Sequence, residues 1–426
     1  MEVLIGVLNQ IPQIFLHPML YVGVLIIVLQ YRRQITLERK LFSSRIHSLP
    51  KEVLSSLGYG LLGGIITSSL MIVLGIVLHP SDTLLIWVIT IVLILFNVRF
   101  LCLSYATGII GVVAGVFQLF DLSKIQFFNN PAFSWTTPIL EGINQIQIPS
   151  IIAIVAILHL VEAILIRLQA SKQATPLFLE TKRGKLVGGH HIQSYWLLPL
   201  FLVVSTGNID AGIQLDFSWW PLIGSGVGLT ILPVPAMIGY SDLTSVNSPS
   251  EKSKKTSNYL LLYSLVLLGM AFIAEKWVAF QIVAAFFAGF AHEIILFFGK
   301  QKEKTMPPIY VHPKDGLKVL AVLPDSIAMR MGIKPGEVIK KVNGVPVTSI
   351  EELYYALQRQ SAFVKLEVIN LEGHLKFTQH SIYDGDHYQL GIILAPDDNA
   401  PYYIEVENTS LLELLKQKIH KTSHSA

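Results

Sequence analysis

Over the first 300 residues apolar positions gather into long unbroken runs, whereas beyond them they fall into short runs separated by turn-forming residues. The long runs lie at roughly 12–31, 54–78, 83–98, 100–120, 150–169, 195–206, 219–240, 258–275 and 277–299. A helix needs about 20 apolar residues to cross the hydrocarbon layer, where each backbone polar group must find a partner inside the protein. The pattern predicts eight or nine spans, because the 195–206 run is short and only Arg99 interrupts the stretch from 83 to 120. With 52% hydrophobic and 14% charged residues and a mean hydropathy of +0.55, a soluble two-domain protein is excluded.

The downstream pattern is that of a small α+β domain, expected over 301–400. Leu317 to Leu323 is a strand-length apolar run closed by Pro324-Asp325-Ser326, and Gly332, Gly336 and Asn343-Gly344 punctuate the residues after it. Asn-Gly between β-branched runs predicts a tight hairpin turn. From Ser349, an expected N-cap, to about Gln360, the positions Ile350, Leu353, Tyr354 and Leu357 recur at helical spacing. Glu351 and Glu352 stand in the first turn, where the helix dipole favours anions. Phe363–Ile369 and His374–His380 alternate around Asn370-Leu-Glu-Gly373, predicting a hairpin that the helix covers. The tail, 401–426, carries Leu411, Leu412, Leu414, Leu415 and Ile419 at helical spacing and predicts a short helix lying on the domain or on lipid.

The line from Gly316 through Pro324-Asp-Ser-Ile-Ala328 and Gly332-Ile-Lys-Pro-Gly336 to Asn343-Gly344 and Ser349 resembles a PDZ domain of the bacterial kind. Such domains add an extended peptide as a strand at a sheet edge, with backbone donors near a Φ-Gly-Φ loop receiving its carboxylate. No such loop precedes Gly316, but Leu390-Gly391-Ile392-Ile393-Leu394 has the character. The resemblance thus implies a permuted strand order and a peptide groove lined by Leu390, Gly391, Ile392 and Ile393 together with Leu353 and Leu357. Gly391 equally permits a plain bend into a final core strand, and both readings stand.

Charge sets the expected orientation. Arg32, Arg33, Arg39, Lys40, Arg45 and Lys51 occupy 32–53; Arg167, Lys172, Lys182, Arg183 and Lys185 occupy 167–185; Lys252, Lys254 and Lys255 come next, and Lys300, Lys302 and Lys304 begin the tail. With nine spans all four segments fall on one side, while the alternate loops 79–82, 121–149 and 207–218 hold one Lys and no Arg. The positive-inside rule then places the amino terminus outside and the PDZ-like domain in the cytoplasm. No cleavable leader is expected, since the first apolar stretch lacks a basic start. In the outer loop, Phe127, Phe128, Phe133 and Trp135 are expected at the bilayer surface. A net charge of +3 arises from the basic loops, which speaks for anionic lipid and against nucleic acid.

Candidate chemistry is sparse. Cys102 is the only cysteine and forms no intrachain disulfide. PDZ domains accompany site-2-type intramembrane zinc proteases, whose His-Glu-x-x-His sets two ligands one turn apart. Here the closest segment is Ala291-His292-Glu293-Ile294-Ile295-Leu296, with leucine at the second histidine position. His17, and His159 with Glu162 one turn on, are the other intramembrane polar groups, costly in lipid unless turned inward. A composite site of His159, Glu162, His292 and Glu293 is conceivable, but a structural pairing is the expectation. His190-His191 beside Gly188-Gly189 is read as an exposed loop, and no Gly-x-Ser-x-Gly elbow occurs. Neither catalytic residues nor a metal or cofactor are expected. A transporter would also be polytopic, with Pro233-Val-Pro235 after Gly224-Ser-Gly-Val-Gly228 marking a broken helix. The pairs Gly60 and Gly64, Gly111 and Gly115, and Gly224 and Gly228 read instead as close helix packing.

Over its whole length the order of parts resembles the MinJ family, polytopic PDZ proteins of division-site selection in Bacillus-type bacteria. The resemblance rests on Phe15-Leu16-His17-Pro18-Met-Leu-Tyr21, on the basic segment from Tyr31-Arg32-Arg33 through Arg39-Lys40 to Arg45-Ile-His47, and on one PDZ-like domain directly after the last span. It implies a non-enzymatic scaffold that bridges a DivIVA-like coiled-coil protein to the MinD-like membrane ATPase, holding the inhibitor MinC near poles and septa. It also implies contacts with division-machinery proteins and enrichment at septum and poles. The alternatives are a PDZ-bearing intramembrane metalloprotease, or a degenerate relative of one, and a transporter with a regulatory PDZ domain.

Overall fold

The computed structural model describes residues 2–96, 102–120, 142–181, 184–206, 219–360, 362–382 and 390–397. Arg99, the aromatics of the 121–149 loop, the 207–218 loop and the 401–426 tail lie outside them.

Polarity and proline partition the amino-terminal region. The first apolar run yields two helices, α1 (Glu2–Leu16) and α2 (Pro18–Phe42), because Pro18 cannot continue a helix but suits its first position. His17 caps α2, its Nδ1 accepting from Met19 N at 3.2 Å. Next come α3 (Leu49–Leu74), α4 (Pro80–Phe96), α5 (Leu103–Phe120) and α6 (Ile148–Leu168), then α7 (Pro249–Lys276) and α8 (Val278–Thr305). Among the described residues, six helices (α2, α3, α5, α6, α7 and α8) are long and apolar enough to cross a membrane. Ile148–Leu168 is the most enclosed, nearly all of its apolar residues being buried.

Two expected spans are not helices. Residues 195–206 belong to β3 (Leu186–Ser205) and most of 219–240 to β4 (Leu229–Thr244), an antiparallel pair in continuous register from His190↔Thr244 to Ser205↔Leu229. Short β2 (Thr175–Glu180) and β1 (Val77–Leu78) pair with the two ends of β3's other edge. Proline explains the departure. Pro199, Pro233 and Pro235 would each break a helix, whereas here Pro199 lies opposite Pro235 and Phe201 opposite Pro233. Phe201 N donates to Ser68 on α3 rather than to β4, so this odd-numbered series turns its nitrogens away from the partner strand and the prolines cost no rung.

The middle of β3's free edge is closed by α3. Ser56 donates to Tyr195 O, Ser68 Oγ accepts from Phe201 N at 2.9 Å, and between them Gly60 and Gly64 press on Leu197 and Pro199. A Cβ at Gly64 would stand 2.7 Å from Pro199 O and 2.9 Å from its N. Four helical residues advance about 6 Å and two strand residues about 6.6 Å, so small residues every fourth position track alternate residues of the strand. The Gly60 and Gly64 pair thus packs closely, but against a strand. Gly111 and Gly115 face Ala285 and Ile282 of α8, a helix contact as expected. Gly224 and Gly228 lie before β4, both at positive φ, outside any helix.

The basic segments meet at one end of this assembly. Arg167 Nη1 donates to Asn258, Lys252 pairs with Asp242 at 3.2 Å and Glu303 at 3.4 Å, and a buried network joins α2, α3, β2 and β3. In that network His47 meets Glu38 at 2.5 Å, Thr175 donates to Glu38, and Gln173 links Tyr31, Glu52 and Ser194.

The carboxy-terminal domain obeys its local signals. β5 (Leu317–Val322), β6 (Val338–Val342), β7 (Val345–Pro346), β8 (Phe363–Ile369), β9 (Leu375–Ser381) and β10 (Ile392–Leu394) form a sheet ordered β10-β5-β6-β8-β9, with β7 beside β6. Asn343 and Gly344 both take positive φ in the two-residue turn. Short α9 (Ile327–Arg330) and α10 (Ile350–Gln358) cover the core face, α10 opening on a reciprocal Ser349–Glu352 capping box.

Candidate functional site

The free edge of β10 is the first candidate. β10 is the terminal strand of the sheet, and among the described residues no strand pairs with its outer edge. Its approach is fixed by backbone bonds: Ala328 N donates to Leu390 O at 3.0 Å and Leu323 N to Gly391 O at 2.8 Å. Gly391 has φ +73°, and an added Cβ would collide with Ser326, so glycine is required for the bend itself. Leu390, Leu353 and Leu357 are buried in one cluster, with Ile392 and Leu394 packed against it. Ile393 turns to the other face of the sheet and joins Leu320, Ala321 and Tyr310 against Phe42, Ile46 and Phe178. Four of the six expected groove residues, Leu353, Leu357, Leu390 and Ile392, therefore share the α10 side of β10, Gly391 forms the bend beside Ser326, and Ile393 lies where the domain meets the amino-terminal region.

That junction is extensive. Gly188 N donates to Tyr310 O at 2.8 Å, Ile309 N donates to Ser245 O at 2.9 Å, and Tyr310 is 1% exposed. His190, expected in an exposed loop, instead lies within β3 with its ring 5.0 Å from that of Tyr310. Burial pushes the His190 imidazole down to about 4, partly opposed by a hydrogen bond that the ring donates to the Leu320 backbone carbonyl. His191 bonds Ser241 at 2.9 Å. At the far side of the network, His47 is held above its usual value: burial opposes this, but hydrogen bonding and charge from Glu38 outweigh it.

The second candidate is a polar cluster among the apolar helices. His159 on α6 and His292 on α8 converge on Cys102, just before α5, with Sγ 3.2 Å from His159 Nε2 and 3.7 Å from His292 Nε2. Glu162 Oε2 lies 4.0 Å from His159 Nε2. Glu293 points elsewhere, accepting from Tyr105 Oη at 2.6 Å. His17 remains apart as the α2 cap. The sequence pattern paired His159 with Glu162 but gave no sign of Cys102, because His159 and His292 lie 57 and 190 residues beyond it and only tertiary folding unites them.

Residues 318–369 match the PDZ domain family model. Over 391 residues the chain is 27% identical to the cell division topological determinant MinJ of Bacillus subtilis strain 168, covering 90% of this chain and 94% of that protein. Two proteins named as probable cell division topological determinants MinJ, from Lacticaseibacillus paracasei and Lacticaseibacillus casei strain BD-II, are each 23% identical over 258 residues, 58% of this chain and 66% of theirs. The likeness runs through helices, hairpin and sheet together, and the chain is a MinJ-like protein carrying a PDZ domain.

Proposed function

We propose that the chain is a non-enzymatic membrane scaffold in division-site selection. Its apolar region, 1–300, is the anchor, and the domain over 301–400 captures an extended partner segment at the β10 edge, beside Leu353, Leu357, Leu390 and Ile392. The partners in this reading are a DivIVA-like coiled-coil protein and a MinD-like membrane ATPase, so that the MinC inhibitor is held near poles and septa. The carrying observation is that similarity to a division determinant covers nine-tenths of the chain instead of stopping at the PDZ domain. The docked domain, with the outer edge of β10 unpaired among the described residues, supports a presenting role. In this reading the basic ends lie at the inner leaflet and the domain is cytoplasmic.

Imaging a carboxy-terminal green fluorescent fusion in a dividing Gram-positive rod tests this. Bands at septa and poles are expected; an even outline would sink the division role, and a dark but intact fusion would reverse the orientation. For the groove, Gly391→Leu should abolish capture of one partner while membrane insertion persists. Undiminished capture of both would remove the β10 edge from the reading.

A further inference from the structure

The Cys102, His159 and His292 cluster has the geometry of a metal site, which nothing in the scaffold reading requires. Their ligand atoms lie within 4.8 Å of one another, and the two sulfur–nitrogen separations are 3.2 and 3.7 Å. A tetrahedral zinc ion, with bonds of about 2.0–2.3 Å, spaces its ligand atoms about 3.3–3.8 Å apart.

The histidine tautomers point the same way. His159 Nδ1 lies 2.8 Å from Val155 O, so Nδ1 carries the proton and donates, leaving the Nε2 lone pair aimed at the sulfur. A metal-bound histidine commonly has that arrangement, with its other nitrogen anchored on a carbonyl. Ring contacts hold both imidazoles: Tyr263 lies 5.3 Å from His159, and Tyr105 lies 5.4 Å from His292. Three polar groups converge on one sulfur, since Cys102 Sγ faces two imidazoles and Ser104 Oγ at 3.0 Å. His292 is 9% exposed and its Nδ1 has no hydrogen-bond partner, so coordination through Nε2 supplies the reason for burying this ring.

We propose that Cys102 Sγ, His159 Nε2 and His292 Nε2 bind a zinc ion as its three protein ligands. Thiolate and imidazole select a borderline-soft divalent ion over magnesium or calcium. The three ligands come from the start of α5, from α6 and from α8, and the role of the site is to staple these elements together.

The test uses the full chain in detergent, purified without a polyhistidine tag and supplied with zinc alone. Elemental analysis should find about one zinc per chain, and Cys102→Ser and His292→Gln should each lower zinc affinity by roughly tenfold or more. Loaded with cobalt, the wild type should show thiolate-to-cobalt charge-transfer absorption, and Cys102→Ser should lose it. Wild type that takes up neither metal, or Cys102→Ser with undiminished zinc, overturns the proposal. Should the variants misfold, the wild type decides: chelation should lower its melting temperature and zinc, not magnesium, should restore it. An unchanged melting temperature after complete zinc removal refutes the staple.

Discussion

The PDZ domain and the region before it both rest on strands closed by a helix, but they specify that contact in opposite ways. In the PDZ domain, α10 covers the sheet with large side chains, Leu353 and Leu357, and its start is written locally by the Ser349–Glu352 box. In the apolar region, α3 meets β3 through the near absence of side chains, with glycines over the strand and serines bonding its backbone. Where water surrounds a domain, apolar bulk drives the contact; where lipid does, close approach and internal satisfaction of backbone groups replace it.

Gly64→Leu should break this comparison most sharply. Its side chain has to enter the backbone of Pro199, at an expected cost of roughly 3 kcal/mol, with detergent melting showing loss of the apolar region. Proteolysis of the same variant should leave the PDZ fragment intact; loss of both together would mean that the two regions fold as one.

Acid should act at the junction. The unfolded His190 titrates near 6.5 and the folded one near 4, so the unfolded state binds more protons between these values. Stability is therefore full above about 6.5 and falls as pH drops towards 4, by roughly 3 kcal/mol in total. A His190→Phe variant should flatten that part of the pH–stability curve, and a profile unchanged by the substitution would dismiss His190 as its source. His47 has the opposite sign: its raised value stabilises below 6.5, and this is lost as pH climbs through the folded value.

Smaller effects sharpen the contrast. Ser349→Ala should destabilise the PDZ domain by about 1 kcal/mol in chemical denaturation, through loss of the bond to Glu352 N, and leave the apolar region untouched. Gly58→Ala, on α3 with nothing within 4 Å of the added carbon, should be neutral or slightly stabilising in the same detergent melt used for Gly64→Leu. Equal damage from Gly58 and Gly64 would show that the contact of Gly64 with β3 is not what the substitution breaks.

The same contrast governs what is legible in the sequence. Asn343-Gly344, Ser349 and the Asn370–Gly373 turn declare themselves within a few residues, and the sheet obeys them. Hydrophobicity says only that a segment avoids water. A Pro-rich apolar strand sheltered by α3 reads like a short span, which is why 195–206 and 219–240 read as helices. Pro199, Pro233 and Pro235 are the available warning. The junction of His190 with Tyr310, and of Cys102 with two distant histidines, depends on contacts between far-apart residues that carry no periodic or spacing signal.

The segment between α8 and β5 has a consequence for recognition. A flexible linker lets a domain sweep a volume, and the local concentration it offers a partner falls as that volume grows. Here Ile309 and Tyr310 are bonded to Ser245 and Gly188, and Ile393 and Leu320 rest on Phe42 and Phe178. If the β10 edge receives a partner as proposed, it is held at one height and one bearing relative to the amino-terminal region, so a partner confined to the same membrane surface would meet it in two dimensions, and a chain that must approach from another angle would be refused by geometry before any side chain is compared.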